Sequence, residues 1–177
     1  SQGVGATIKH FALNNSENYR NTSSSYCDNR AMNEIYLKPF EMAVKNARPH
    51  SVMCAYNAIN GTYASENKWL FKDVLRDSWG FRGLVMTDWG ATVDRVKSIK
   101  AGCDLEMPGD TPYCRKQLFD AVRSGELDEK ELDECVLRII DFAKGYENNK
   151  QIEVDFESHD KLTGEIAEDC AVLMKND

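Results

Sequence analysis

At 177 residues, 42% hydrophobic and 29% charged, the chain has the composition of a globular protein with room for one sizeable core. Its net charge of -7 comes without a Lys/Arg cluster, which argues against nucleic acid or an anionic membrane as the main partner. The apolar runs are too short to span a bilayer, and Ser1-Gln2-Gly3-Val4-Gly5 does not have the pattern of a signal peptide, so a cytoplasmic location is favoured and secretion stays open.

Residues 4–11 read as a strand that turns polar at Lys9 and His10, and an Asn- and Ser-rich loop follows over 14–29. Apolar residues at Met32, Ile35, Tyr36, Phe40, Ala43, Val44 and Ala47 predict an amphipathic helix over 30–48, interrupted near Pro39. A second apolar run, 51–57, ends in Tyr56 and Asn57. After an Asn60-Gly61 turn, Trp69, Leu70, Val74 and Leu75 make a helical stripe that stops at Gly80. The third run, 83–90, carries Asp88 at its downstream end and precedes a helix over about 92–100 with Val93, Val96 and Ile99 on one face. A fourth apolar segment, 102–108, leads into a helix over about 115–123.

Four repeats of strand then helix imply parallel pairing through crossovers, an α/β fold. Asp128 caps a further helix, with Glu131 placed to reach back, Leu127 placed to staple to Leu132, and a stripe of Leu132, Val136, Ile139 and Ala143 running to Gly145. Residues 1–147 therefore read as one unit. Residues 148–157 read as polar linker, 158–169 as a last helix, and 171–177 as a strand that opens something further.

Six cysteines are dispersed without CxxC spacing, and Cys54, Cys103 and Cys135 lie in apolar segments, so buried thiols are expected rather than disulfides. The sequons at Asn14, Asn21 and Asn60 are read as chance occurrences. His10, His50 and His159 lack metal-ligand spacing, and no G-x-S-x-G, P-loop or dinucleotide fingerprint occurs, so neither metal nor cofactor is expected.

Lys9, His10, Tyr56 and Asp88 each stand at the downstream end of a predicted strand, and in a barrel those ends converge on one face. Taken singly, each is most simply a solvated loop anchor; together they suggest a pocket. A carboxylate facing Lys and imidazole stays ionised, which suits a nucleophile or an electrostatic stabiliser. Lys, His and Tyr suit hydroxyl recognition, with Trp89 either a platform for a sugar ring or a core residue. One rival is a lyase using Lys9 as a Schiff-base amine, although pairing of Lys9 with a carboxylate would oppose it. Another is a non-catalytic carbohydrate-binding or structural fragment.

Ile8-Lys9-His10-Phe11 with Asn14-Asn15, Arg30 with Glu34-Ile35-Tyr36-Leu37 and Pro39-Phe40-Glu41, and Met53-Cys54-Ala55-Tyr56-Asn57 come first in an ordered set. Trp79-Gly80-Phe81, Met86-Thr87-Asp88-Trp89-Gly90-Ala91, Ala101-Gly102-Cys103-Asp104 and Met107-Pro108 complete it. In the same order, and nearly end to end, this set resembles glycoside hydrolase family 3 β-glucosidases. The resemblance implies the later half of a (β/α)8 TIM-type barrel, about four βα units, with 148–177 leading toward an α/β sandwich domain. It implies a retaining mechanism with Asp88 as nucleophile, and sugar contacts from Lys9, His10, Met53 and Tyr56. The loop 12–17 lacks the Asp/His pair of the family's N-acetylglucosaminidase branch, which favours a β-linked glucoside, xyloside or oligosaccharide substrate. The family's general acid comes from the second domain, so the isolated chain is expected to be inactive. It is also expected to be prone to association through an open sheet edge.

Overall fold

The computed structural model describes residues 4–109, 112–147 and 153–175. In chain order, β1 (Thr7–Phe11) enters a long loop containing β2 (Ser24–Ser25), then α1 (Asn29–Ala31), a π-helical turn over 32–36, and α2 (Lys38–Ala47). Asp28 starts α1 by accepting the Ala31 N–H at 2.7 Å. The expected interruption falls at Leu37, and Pro39 lies in the first turn of α2, where its missing N–H leaves no helical bond unmade. After β3 (Ser51–Cys54) comes a hairpin of β4 (Ala58–Ile59) and β5 (Thr62–Tyr63). Its turn holds Asn60 at φ 48° and Gly61 at φ 91°, the two positive angles that a tight hairpin of this kind requires.

A π-helix, Trp69–Ser78, then leads to β6 (Leu84–Met86), α3 (Arg95–Ala101), α4 (Pro112–Ser124), α5 (Glu129–Lys144) and α6 (Phe156–Asp169). Sequence-readable caps bound several of these helices. Asp94 accepts from Lys97 N at 3.0 Å, Asp128 from Lys130 N at 3.0 Å, and Asp155 from Ser158 N at 3.0 Å. Gly102 ends α3 in the left-handed region.

Three strands form a parallel sheet in the order β1, β3, β6, with Thr7 opposite Ser51 and Ser51 opposite Leu84. A parallel bridge from Met86 to Leu105 continues the sheet in chain order. Sequential parallel strands with helical crossovers make this a segment of a (β/α) barrel. Among the described residues β1 is bonded only along its β3 side. A second small sheet runs β2, β4, β5, with Ser24 parallel to Ala58, and ties the loop after β1 to the segment after β3.

The core forms where the helices cover this sheet: Phe11, Val52, Val85, Leu37, Leu70, Phe71 and Leu75 are all buried. Phe11 is its aromatic centre, with ring centroids 5.0 Å from Phe40 and 5.8 Å from Trp79. A satellite cluster of Val96, Ala121 and Leu127 packs α3 against α4 and the start of α5, and Leu132 joins it as the staple position predicts.

Between the two clusters lies a buried charge clamp. Asp104 Oδ2 accepts from Arg76 at 2.7 Å and from the Val85 N–H at 2.8 Å, while Oδ1 accepts from Arg138 at 2.9 Å. Arg76 also donates to the carbonyls of Gly83 and Gly102. One carboxylate thus joins the π-helix, β6, the fourth strand position and α5.

Several expectations from sequence need correcting. Trp69 and Val93 are exposed, and the buried face of the π-helix takes Phe71 instead. On α5 the buried residue is Cys135, whereas Val136 and Ala143 face outward. The fourth apolar segment forms a single bridge at Leu105 rather than a full strand. Residues 171–175 form no strand in the structure; Asn176 and Asp177 lie outside the described residues, as do 148–152 of the expected linker and Ser1 to Gly3. A shift of one position decides which side of a helix meets the core, and apolar periodicity alone does not resolve it.

All six cysteines are free thiols, four of them buried. Burial pushes the Cys54 thiol from an ordinary 9.0 up to about 12, and Cys135 similarly to about 12. Ellman's reagent should therefore titrate exposed Cys170 first and half-buried Cys27 more slowly, with the others reacting only on unfolding. Because the unfolded chain loses these protons first, stability should fall as pH rises above about 9, where free thiols begin to ionise, a trend that urea melts at graded pH would report.

Candidate functional site

The loops after β1, β3 and β6 meet at the downstream end of the sheet. Asp88 lies two residues beyond β6. Its Oδ2 is 3.2 Å from His10 Nε2, and the side chains are 15% and 35% exposed respectively. Its Oδ1 accepts the Trp89 N–H at 2.7 Å. Both carboxylate oxygens are therefore oriented, and the group still reaches solvent.

The turn after Asp88 is held at several points. Gly90 sits at φ 78°, a conformation that favours glycine, and its N–H donates to Met107 O at 2.7 Å. Ala91 N donates to Asp88 O at 3.0 Å, and Ser65 Oγ donates to Ala91 O at 3.0 Å. Tyr56, from the loop after β3, donates its hydroxyl to Trp89 O at 2.9 Å. Burial, and then the neighbouring Asp88 carboxylate, raise the Tyr56 pKa, so the phenol stays protonated and a donor at neutral pH. Under these groups Cys54 is fully buried, its thiol raised first by desolvation and then by the charge of Asp88.

Tyr56→Phe should lower the stability of the chain by about 1 kcal/mol through loss of one hydrogen bond, read as a shifted urea midpoint with an unchanged slope.

Of the residues singled out from sequence, the structure brings His10, Tyr56 and Asp88 together. Met53 stands opposite Met86 in the sheet register, and alternation along the strands places both on the same face as Asp88. Trp89 is 63% exposed, so the core reading for it is excluded and its ring is free to meet a ligand. Lys9 is exposed, and among the described residues it makes no ion pair within 4.0 Å. The expected pairing of Lys9 with a carboxylate is thus not formed among the described residues, and its side chain lies in solvent rather than in the apolar pocket that the lyase reading requires.

One residue escaped sequence reasoning. Arg20, in the loop after β1, places its guanidinium 4.5 Å from the Tyr56 ring centroid while pairing with Glu17 at 2.7 Å. Nothing local marks it, since the stack joins positions 36 residues apart and depends on the β2–β4 pairing to bring the loop over.

The polar cluster of carboxylate, imidazole and phenol lies at the downstream strand ends, the face where barrel enzymes place their active sites. Residues 1–142 match the family described as "Glycosyl hydrolase family 3 N terminal domain", and the chain belongs to that family. It is 46% identical over 179 residues to thermostable beta-glucosidase B of Acetivibrio thermocellus, matching all of this chain and 24% of that protein. It is also 42% identical over 180 residues to an exo-alpha-(1->6)-L-arabinopyranosidase of Bifidobacterium breve, again covering all of this chain and 24% of that protein.

Among solved structures, the GH3 beta-glucosidase of Bifidobacterium adolescentis superposes with a TM-score of 0.90 at 42% identity, over 99% of this chain and 26% of that one. The glucose complex of beta-glucosidase 3B from Thermotoga neapolitana gives a TM-score of 0.82 at 44% identity, over 92% of this chain and 24% of that one. The chain thus spans about a quarter of the length of the curated relatives it matches. Among the described residues no helix is long and apolar enough to cross a membrane.

Proposed function

We propose that this chain carries the nucleophile and much of the nonreducing-end sugar subsite of a retaining β-glycosidase acting on β-glucosides or β-xylosides. The observation that carries this reading is the carboxylate of Asp88, oriented on one oxygen by Trp89 N–H and faced on the other by His10, at the open end of a parallel strand. An oriented and accessible carboxylate suits attack on an anomeric carbon, giving a glycosyl ester that water later hydrolyses. His10 and Tyr56 border the carboxylate and Trp89 offers an exposed apolar face; in this reading Lys9 and Met53 meet sugar hydroxyls and ring carbons.

A retaining mechanism uses two carboxyl groups about 5 Å apart. In this reading the second, the general acid, is supplied by a domain reached through 148–177, beyond the barrel segment of 1–147. The chain alone is then inactive, and its substrate-binding partner surfaces are the remaining barrel strands and that second domain. That the Thermotoga neapolitana relative was solved in complex with glucose supports a hexose as the substrate sugar, and the relative named an exo-alpha-(1->6)-L-arabinopyranosidase supports a frame that also suits a pentose.

The test is mechanism-based labelling. In a protein joining this chain to the rest of its barrel and its second domain, a 2-deoxy-2-fluoro-β-glucoside with an activated leaving group should attach covalently to the peptide containing Asp88. Modification of a different carboxylate would overturn the assignment. Release of p-nitrophenol from an aryl β-glucoside by the isolated 177-residue chain, lost on Asp88→Asn, would overturn its inactivity.

A further inference from the structure

At the opposite end of the sheet, where His50 precedes β3 and Gly83 precedes β6, lies a cavity of about 680 Å³ between the C-terminal halves of α2 and α5. Its size is that of a small-molecule site. Its lining contrasts with the acidic chain around it: Lys45, Arg48, Arg82 and Arg138 face one carboxylate, Asp141.

The charges differ in how far they are already used. Lys45 pairs with Glu41, and Arg138 with Asp104 and Glu134. Among the described residues Arg48, Arg82 and Asp141 have no ion-pair partner, although they share one cavity. Arg48 is presented there because it closes α2 in the left-handed conformation, φ 49° and ψ 62°, a backbone state uncommon for a residue with a side chain.

The walls add a ring-binding surface. His50 stands edge-on to Tyr146 with centroids 5.5 Å apart, and Trp79 lines the same space. The Tyr146 hydroxyl is buried against Gly5, so this residue offers the wall its ring.

We infer that this cavity binds a monosaccharide-sized, hydroxylated ring bearing one anionic group. Arg48 and Arg82 meet the anion, Asp141 accepts from ring hydroxyls, and the aromatic wall takes the apolar ring face. Two unpaired guanidinium groups favour an anion over a neutral sugar, and an unpaired carboxylate beside them favours hydroxyls over a bare inorganic ion. Because the site lies at the upstream ends of the strands, it is separate from the Asp88 cluster, and its occupancy does not depend on the catalytic reading.

The experiment is calorimetric titration of the 177-residue chain with glucose 6-phosphate, glucuronate, glucose and inorganic phosphate at constant ionic strength. At least one of the two anionic sugars should bind with a Kd below about 1 mM, and at least about tenfold more tightly than glucose or phosphate. The comparison between the two distinguishes a phosphate from a carboxylate as the anion. Arg48→Gln combined with Arg82→Gln should lose about tenfold or more of that affinity. Asp141→Ala should weaken the sugar anion without weakening phosphate. All three substitutions are at exposed positions, and unchanged circular dichroism would establish that the variants are folded. Affinity for both anionic sugars no greater than for glucose, affinity for both no greater than for inorganic phosphate, no binding, or undiminished binding by the double variant would each overturn the proposal.

Discussion

Asp88→Asn, in a protein that restores the rest of the barrel and the second domain, should lower kcat/KM for an aryl β-glucoside by about 10³-fold or more. The substitution keeps the size of the side chain and an oxygen to accept the Trp89 N–H, which now lies 2.7 Å from Oδ1. It removes the negative charge opposite His10 and leaves an amide that does not form a glycosyl ester. A 10³-fold loss is about 4 kcal/mol of transition-state stabilisation, well beyond what a lost neutral hydrogen bond accounts for. The pattern of the loss matters as much as its size. With a substrate whose leaving group needs little protonation, kcat should collapse while KM changes little, since the sugar contacts remain. A rate within tenfold of wild type would remove Asp88 from the chemistry.

The largest effect on stability is expected at Asp104. Its side chain has 0% exposure and holds two arginines and a main-chain N–H, so Asp104→Ala leaves the buried Arg76 guanidinium without a counter-charge. Breaking a buried pair from one side costs about 3–5 kcal/mol, a large share of the roughly 5–15 kcal/mol that a domain possesses. Asp104→Asn retains the shape and one acceptor and should fall between the two. Urea denaturation of the 177-residue chain reads this directly, and a change below about 1 kcal/mol for the alanine variant would show that Arg76 finds water or another acceptor.

How much of this was legible beforehand depended on range. Strands β1, β3 and β6 were readable because each is a short apolar run that ends in polar residues, and the helix starts at Asp128 and near Asp94 carry local capping chemistry. The meeting of His10, Tyr56 and Asp88 followed from one rule, that parallel barrel strands bring their downstream ends together. What depended on partners distant in sequence was not readable. Asp104 lies 28 residues from Arg76 and 34 from Arg138, and no periodicity announces such a triad. The two-residue strands β2 and β4 are likewise too short to leave a pattern, yet their pairing brings Arg20 over Tyr56. Lys9 shows the opposite error: its position was readable, but its surroundings were not, and the expected ion pair is not formed.

The Asp104 clamp has a consequence for how such a protein can change over time. It fastens the frame near the upstream ends of β6 and the fourth strand position, where Arg76 reaches the Gly83 carbonyl, while the polar cluster occupies the downstream loops. Tolerance to mutation is therefore distributed unevenly along the strands. Loops at one end can drift, lengthen or exchange side chains against a foundation anchored at the other, so new sugar preferences can be tried without first re-solving the folding problem. Relatives named as a glucosidase and as an arabinopyranosidase, at 46% and 42% identity to the same chain, are what such a division of labour would leave behind.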